Sequence, residues 1–219
     1  MNTSDPGKEF TIRGSVVEIY LERIRDLLNE SSHVRVASGG RLTGCAALSC
    51  LSANDVTAIL QRATAFRTAS AIDPNRDSTR STCVVQLQIE QLDQRSGEVT
   101  INCLHAYDLA ASELAVTECD DKQLEPAQIS QSLQSLHHYV HAEVERQARA
   151  SPSAAQPVTE GPVVTQLLST KLGGKSHTSI ILTASPLSPI HFSAPTRQAE
   201  TLSAVFFCQT HITQPTPTN

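Results

Sequence analysis

The chain has 219 residues, with 39% hydrophobic residues, 4% aromatic residues and no Trp, which is enough for one domain or one and a half built on an aliphatic core. A net charge of −5 without a basic stretch excludes a nucleic-acid binder, and the chain has neither an apolar run of membrane-spanning length nor the charged-then-apolar start of a signal peptide. The six cysteines (45, 50, 83, 103, 119 and 208) show no CxxC spacing. They are therefore expected as reduced, mostly buried small residues of a cytosolic protein rather than as a zinc or redox site.

Residues 1–9 are polar and expected to be disordered. Phe10, Ile12, Val16, Val17, Ile19 and Tyr20 then predict a strand, and 21–28 read as a short helical turn. Residues 31–44 read as loop, punctuated by Gly39, Gly40 and Gly44. Ser52 with Asp55 forms a capping box ahead of Val56, Ile59, Leu60, Ala63 and Phe66, whose helical spacing predicts a helix to about Ala69, ended by Asp73-Pro74-Asn75.

Residues 84–92 alternate apolar and polar, 95–98 (Arg95-Ser96-Gly97-Glu98) make a turn, and 99–109 form the second arm of a hairpin. Pro126 opens a helix carrying Ile129, Leu133, Leu136, Tyr139, Val140 and Val144. A loop over 150–162 leads to a short helix over 163–172 closed by Gly173. A strand over 178–184, a last helix over 199–207 and a disordered tail over 211–219 complete the reading. Helices and strands alternate, so the class is α/β.

Six motifs occur in order. They are Val17-Glu18-Ile19-Tyr20 with Ile24-Arg25-Asp26-Leu27-Leu28; Asn75-Arg76-Asp77-Ser78-Thr79-Arg80-Ser81-Thr82; Asp108-Leu109-Ala110-Ala111-Ser112-Glu113; Ile129-Ser130-Gln131-Ser132-Leu133; Thr165-Gln166-Leu167-Leu168 with Leu172-Gly173-Gly174; and Glu200-Thr201-Leu202-Ser203. Together they resemble the kinesin motor domain over 10–210. The second motif resembles switch I (N-x-x-S-S-R-S-H), the third resembles switch II (D-L-A-G-S-E), and the fourth resembles the start of the microtubule-facing helix.

The resemblance implies a P-loop NTPase fold, with a central mixed sheet flanked by helices, and Mg-ATP as the family's cofactor. It also implies a nucleotide and Mg site at Asn75, Ser78, Thr79, Ser81, Asp108 and Ala111. Arg80 and Glu113 stand where the family's switches pair, and Ile129, Ser130, Gln131, Glu160, Val163 and Gln166 stand where it faces microtubules.

The chain contains no G-x-x-x-x-G-K-S/T phosphate loop, so the fold is expected to be incomplete on its amino-terminal side. Gly173-Gly174-Lys175-Ser176 does not substitute, because Ser169 stands where the first Gly belongs and a helix precedes it instead of a strand. Three positions depart from the family pattern: Ala111 replaces a Gly whose bare Cα lets the backbone approach phosphate, Thr82 replaces a His, and Ser130 replaces an Asn.

The basic positions of the family's track-binding face correspond to Gln131, Glu160, Val163 and Gln166, with Arg146 and Arg149 left to compensate. His137, His138 and His141 with Glu145 read as a solvated helix face rather than a metal site, and Cys45 with Cys50 carries little disulfide or metal signal. The resulting expectation is a cytoplasmic, cytoskeletal kinesin-like module that meets microtubules weakly and binds no ATP by itself, in which the strands over 99–109 and 178–184 either close up and pair with each other or take a partner chain's strand between them. The alternatives are part of an ATP-driven microtubule motor and a product without a stable fold.

Overall fold

The computed structural model describes residues 7–69, 80–110, 124–148, 160–172, 176–179 and 181. It divides into two compact units, one of Met1–Arg35 with Leu42–Ala110 and the other of Val36–Arg41 with Ala111–Asn219.

The first unit is a sheet with one helix on it. Strand β1 (Lys8–Tyr20) begins earlier than the polar amino terminus suggests, inside the stretch expected to be disordered. It turns back at once into β2 (Arg23–Asp26), pairing Ile19 with Ile24 and Val17 with Asp26. The helical turn expected over 21–28 is therefore overturned. Leu21 and Glu22 sit at φ 48° and 62°, the left-handed pair that a two-residue hairpin turn needs. The spacing of Leu21, Ile24 and Leu28 mimicked a helix, but Leu27 and Leu28 are buried behind a strand.

Short strands β3 (Arg35–Ala37) and β4 (Arg41–Thr43) pair in a ribbon inside the stretch read as loop, and β5 (Leu48–Ser49) pairs with β1. Helix α1 (Ala53–Ala69) starts where the sequence places it. Its capping box is present: Asp55 accepts from the Leu51 and Ser52 amides at 2.8 Å, and Ser52 accepts from the Asp55 amide. These bonds hold the Asp55 carboxyl below its ordinary range.

Strands β6 (Thr82–Asp93) and β7 (Val99–Asp108) form the expected hairpin. Its turn is organised by Asp93, whose carboxylate accepts from the Arg95 and Ser96 amides, and by Gly97 at φ 71°. The order is β2-β1-β6-β7 with β5 also on β1, and each of these pairings is antiparallel.

Helix α1 covers the β1 face that carries Gly14, Val16 and Glu18. Val16, Leu27, Leu28, Cys50, Ile59 and Ala63 form the core, each burial worth on the order of 1–3 kcal/mol. Gly14 is required for the close approach: a Cβ there would stand 3.0 Å from Ile59 Cδ1. Asp26 ties the loop after β2, accepting from the amides of Leu28 (2.8 Å), Asn29 (3.2 Å) and Ala46 (2.6 Å).

In the second unit, α2 (Leu124–Ala148) buries Ile129, Leu136 and Val140 along one stripe, and α3 (Val163–Ser169) buries Val164, Thr165 and Leu167. The Tyr139 hydroxyl donates to the Ser169 carbonyl at 2.8 Å, fastening α2 to the end of α3. Gly40 lies against that same end. A Cβ on it would meet the Gln166 carbonyl oxygen at 2.6 Å, and the Lys171 ammonium donates to the Gly40 carbonyl. Thr178, Ser179 and Ile181 carry no strand, so the strand expected over 178–184 is absent where it is described. The helix over 199–207 and the stop at Asp73-Pro74-Asn75 lie outside the described residues.

Candidate functional site

The first unit gathers its charged chemistry around a carboxylate that sequence reasoning did not single out. Glu18 is 3% exposed, in a strand whose other buried side chains are the aliphatic Val16, Val17 and Ile19 and the small Ser15. An isolated buried carboxylate is costly, so it must be paired and hydrogen-bonded. Arg67, in the last turn of α1, donates from Nε to Glu18 Oε1 at 2.9 Å. Arg25 of β2 donates to Glu18 Oε2 from Nε at 3.1 Å and also through Nη2, with its guanidinium over the Phe66 ring at 5.5 Å. The Ser81 hydroxyl donates to Glu18 Oε1 at 2.7 Å and accepts from Arg67 Nη2 at 2.8 Å, while the same Nη2 donates to the Ser81 carbonyl at 3.0 Å.

Arg67 reaches further. Its Nη1 lies 3.8 Å from Asp108 Oδ2 at the end of β7, and that carboxylate is 79% exposed. One residue after Ser81, the Thr82 hydroxyl accepts from the Ala110 amide at 3.1 Å. The end of the first switch-like motif and the start of the second are thus joined through one arginine and one threonine. Beside them, burial pushes the Cys83 thiol up, the Arg67 cation opposing, so it stays protonated.

The signals for Glu18 and Arg67 were present in the sequence. Glu18 shares the core parity of Val16, and Arg67 follows Ala63 by four on the face that carries Ile59 and Ala63. A charge at a core position of a strand and another on a helix's apolar face predict each other.

Of the candidate nucleotide residues, Ser81 and Asp108 are brought together. Asn75, Ser78, Thr79 and Ala111 lie outside the described residues, as does Glu113, the expected partner of the half-buried Arg80. The described residues do not by themselves fit Mg-ATP. Ser81 is buried with its hydroxyl committed to Glu18 and Arg67, and the Thr82 oxygen is engaged by Ala110. Asp108 alone presents an exposed carboxylate, and the described residues hold no group of three acidic, His or Cys side chains arranged for a metal.

The candidate track-facing residues belong to the second unit. Ile129 is 6% exposed and points into the helix packing, so it does not lie on an outer face. Ser130 is half-buried, Gln131 and Glu160 are exposed, and Val163 and Gln166 are half-buried, with Gln166 Nε2 donating to the Gly161 carbonyl at 2.6 Å. None of these six side chains is cationic. Arg146, expected to compensate, has its guanidinium on the buried Glu143 carboxylate, with Nε to Oε2 at 2.8 Å, so its charge is locally neutralised. Arg149 lies outside the described residues. His141 pairs with Glu145 at 3.4 Å, and burial lowers the His137 pKa, its neighbours His138 and His141 adding to the shift.

The family model of the kinesin motor domain matches residues 1–210. The chain belongs to the kinesin motor family. It is 31% identical over 206 residues to a kinesin heavy chain of Syncephalastrum racemosum, covering 91% of this chain and 21% of that protein. It is also 31% identical over 212 residues to kinesin-related protein 5 of Dictyostelium discoideum, covering 93% of this chain and 20% of that protein.

Among solved structures, a fast kinesin superposes with a TM-score of 0.75 at 29% identity, covering 94% of this chain and 57% of that one. The motor domain of the kinesin-like protein Kar3 of Saccharomyces cerevisiae gives 0.69 at 24% identity, a likeness of fold alone. The kinesin fold, with its α/β class and sheet flanked by helices, is thereby the fold of this chain. The chain spans about a fifth of the length of the curated kinesins it matches.

Proposed function

We propose that this chain is a kinesin-family interaction module that associates weakly with microtubules in the cytoplasmic cytoskeleton and does not hydrolyse ATP by itself. The observation that carries the reading is Ser81: its hydroxyl donates to buried Glu18 at 2.7 Å and accepts from Arg67, which leaves it no proton to give a phosphate. Phosphate affinity in NTPases of this class comes from a cradle of backbone amides with a Lys and a Ser or Thr, a set the sequence does not contain.

The track-facing candidates support weak attachment, because Gln131, Glu160, Val163 and Gln166 offer no cation to an acidic filament. The sheet takes a further chain at β7, whose outer edge has no strand partner among the described residues. A second reading, part of an ATP-driven microtubule motor, is favoured by Asp108, an exposed carboxylate beside Arg67 that is suited to a magnesium shell.

Titration calorimetry with Mg-ATP separates the two readings. The module predicts no binding tighter than about millimolar. Micromolar affinity would sink it and leave the motor reading standing.

A further inference from the structure

The ribbon of β3 and β4 presents a hydroxyl among cations. From Ser31 to Asn54 the chain carries no Asp or Glu, and its charged side chains are Arg35 and Arg41. Both are exposed, one on each strand. Between the strands the chain turns through Ser38, Gly39 and Gly40, and the Gly40 amide closes the turn on the Ala37 carbonyl at 3.2 Å. Ser38 is exposed at the tip.

Arg35 stands three residues before Ser38, at the start of a strand that is already extended. A protein kinase that selects for arginine reads an acceptor in this form. Carboxylates of its cleft receive the guanidinium, and the extended segment lays the hydroxyl against the bound nucleotide. A two-stranded ribbon with three residues to a strand yields readily to such a cleft, because a lone hairpin is only marginally stable. The same spacing recurs at Arg67 with Ser70 and at Arg76 with Thr79. Arg67 is committed to Glu18 and Ser81, and Asp77 sets an acid between Arg76 and Thr79, so neither arginine is offered as Arg35 is.

The surroundings also decide what a phosphate here would do. The Lys171 ammonium donates to the Gly40 carbonyl at 3.2 Å and to the Thr170 hydroxyl at 2.8 Å, and Arg41 follows Gly40 directly. Phosphorylation adds about two negative charges and three strong acceptor oxygens, which suit two such cations. Gly40 rests on the carboxyl end of α3, where a Cβ would meet the Gln166 carbonyl oxygen at 2.6 Å and the Leu167 carbonyl oxygen at 3.2 Å. The new charge would therefore arise beside the helix that carries the track-facing candidates Val163 and Gln166.

We propose that Ser38 is a phosphorylation site for an arginine-directed protein kinase, and that its phosphate weakens the hold of the α3 surface on an acidic filament. Ser38 Oγ attacks the γ-phosphorus of the Mg-ATP bound to that kinase, the bond from this phosphorus to the β–γ bridging oxygen breaks, the hydroxyl proton passes to a base of the kinase, and ADP leaves. The modification stands on the ribbon alone. Its effect on the filament rests on the proposed function.

The test treats the full chain with the catalytic subunit of cyclic-AMP-dependent protein kinase and Mg-ATP and maps phosphate by peptide mass spectrometry. Microtubule co-sedimentation of the treated and untreated chains at low salt follows. The expected result is phosphate on Ser38, absent from that peptide in Ser38→Ala. The kcat/KM of the kinase should fall about tenfold or more for Arg35→Ala, which removes one charge-assisted pair. Both variants change exposed side chains and should melt like the parent chain. The pelleted fraction should be about twofold to fivefold lower after phosphorylation.

Phosphate at Ser70 or Thr79 with none on Ser38 would overturn the site, as would no phosphate at all. An undiminished rate in Arg35→Ala would overturn recognition through the arginine. Phosphate on Ser38 with unchanged pelleting would overturn the effect on the filament and support the site. An untreated chain that does not pellet at all would overturn the proposed function and the filament effect with it, whereas the Ser38 map stands or falls alone.

Discussion

The switch-like cluster of the first unit and the candidate track-facing helices of the second handle charge in opposite ways. Around Glu18 the charges are largely committed to one another: two arginines and a serine hydroxyl satisfy one carboxylate, while Asp108 and one side of Arg25 remain presented to solvent. On α2, α3 and the turn before α3 the surface is kept but the charges are gone, with Gln131, Val163 and Gln166 neutral, Glu160 acidic and Arg146 tied to Glu143. A motor couples a nucleotide to a track. Here one region has charge without availability and the other has availability without charge. The first kind of loss stabilises the fold, while the second leaves stability alone and changes only what the surface can hold.

The largest test of this contrast is removal of the hub. Glu18→Ala strands Arg67 and Arg25 against a buried strand and frees Ser81, so it should cost about 3–5 kcal/mol of stability in a denaturant melt. Hydrogen exchange should loosen first around Ser81, Thr82 and Ala110, the residues the cluster joins. If Glu18→Ala melts like the parent chain, the cluster is not what holds the two motifs together.

Restoring charge to the other region should leave the melt unchanged. Gln131→Lys combined with Gln166→Arg should raise microtubule co-sedimentation about threefold to fivefold at low salt, an advantage that screening removes as the Debye length falls to roughly 8 Å at physiological ionic strength. No gain at low salt would mean that these positions do not face the filament.

The smallest expected effect sharpens the hub's position. Asp55→Ala uncaps α1 at the end away from Arg67, so it should lower the melting temperature slightly while leaving exchange at Ser81 unchanged. The Asp55 carboxyl lies below its ordinary value of 3.8, so its contribution is present above that value and is lost as pH falls through the depressed one. The gap between the parent chain and Asp55→Ala should therefore close in strong acid.

Much of the fold was legible wherever local chemistry and tertiary need agreed. Ser52 with Asp55 announced α1, and the apolar and polar alternation on either side of Gly97 announced the β6–β7 hairpin. β2 was misread because nothing local marks its turn: Leu21 and Glu22 adopt left-handed backbone that their side chains disfavour, and only pairing with β1 holds them there.

In the site, the motif positions Ser81 and Asp108 were found, but their roles differ from the pattern because Arg67, fourteen residues before Ser81, captures both. That capture depends on α1 lying across β1, which a linear motif does not encode. Ile129 stood both in the apolar series of α2 and among the track-facing candidates, and its burial agrees with the first. A motif gives a helix position, but the stripe of Ile129, Leu136 and Val140 decides which way it faces.

Microtubule co-sedimentation is the sharpest test of the proposal that a weak track-binding surface persists here, uncoupled from nucleotide. The pelleted fraction would be measured at rising salt with no nucleotide, with Mg-ADP and with a non-hydrolysable Mg-ATP analogue. The account predicts one weak curve under all three conditions, lost at moderate salt. Pelleting that changes with the nucleotide, or that persists unchanged at high salt, would contradict it.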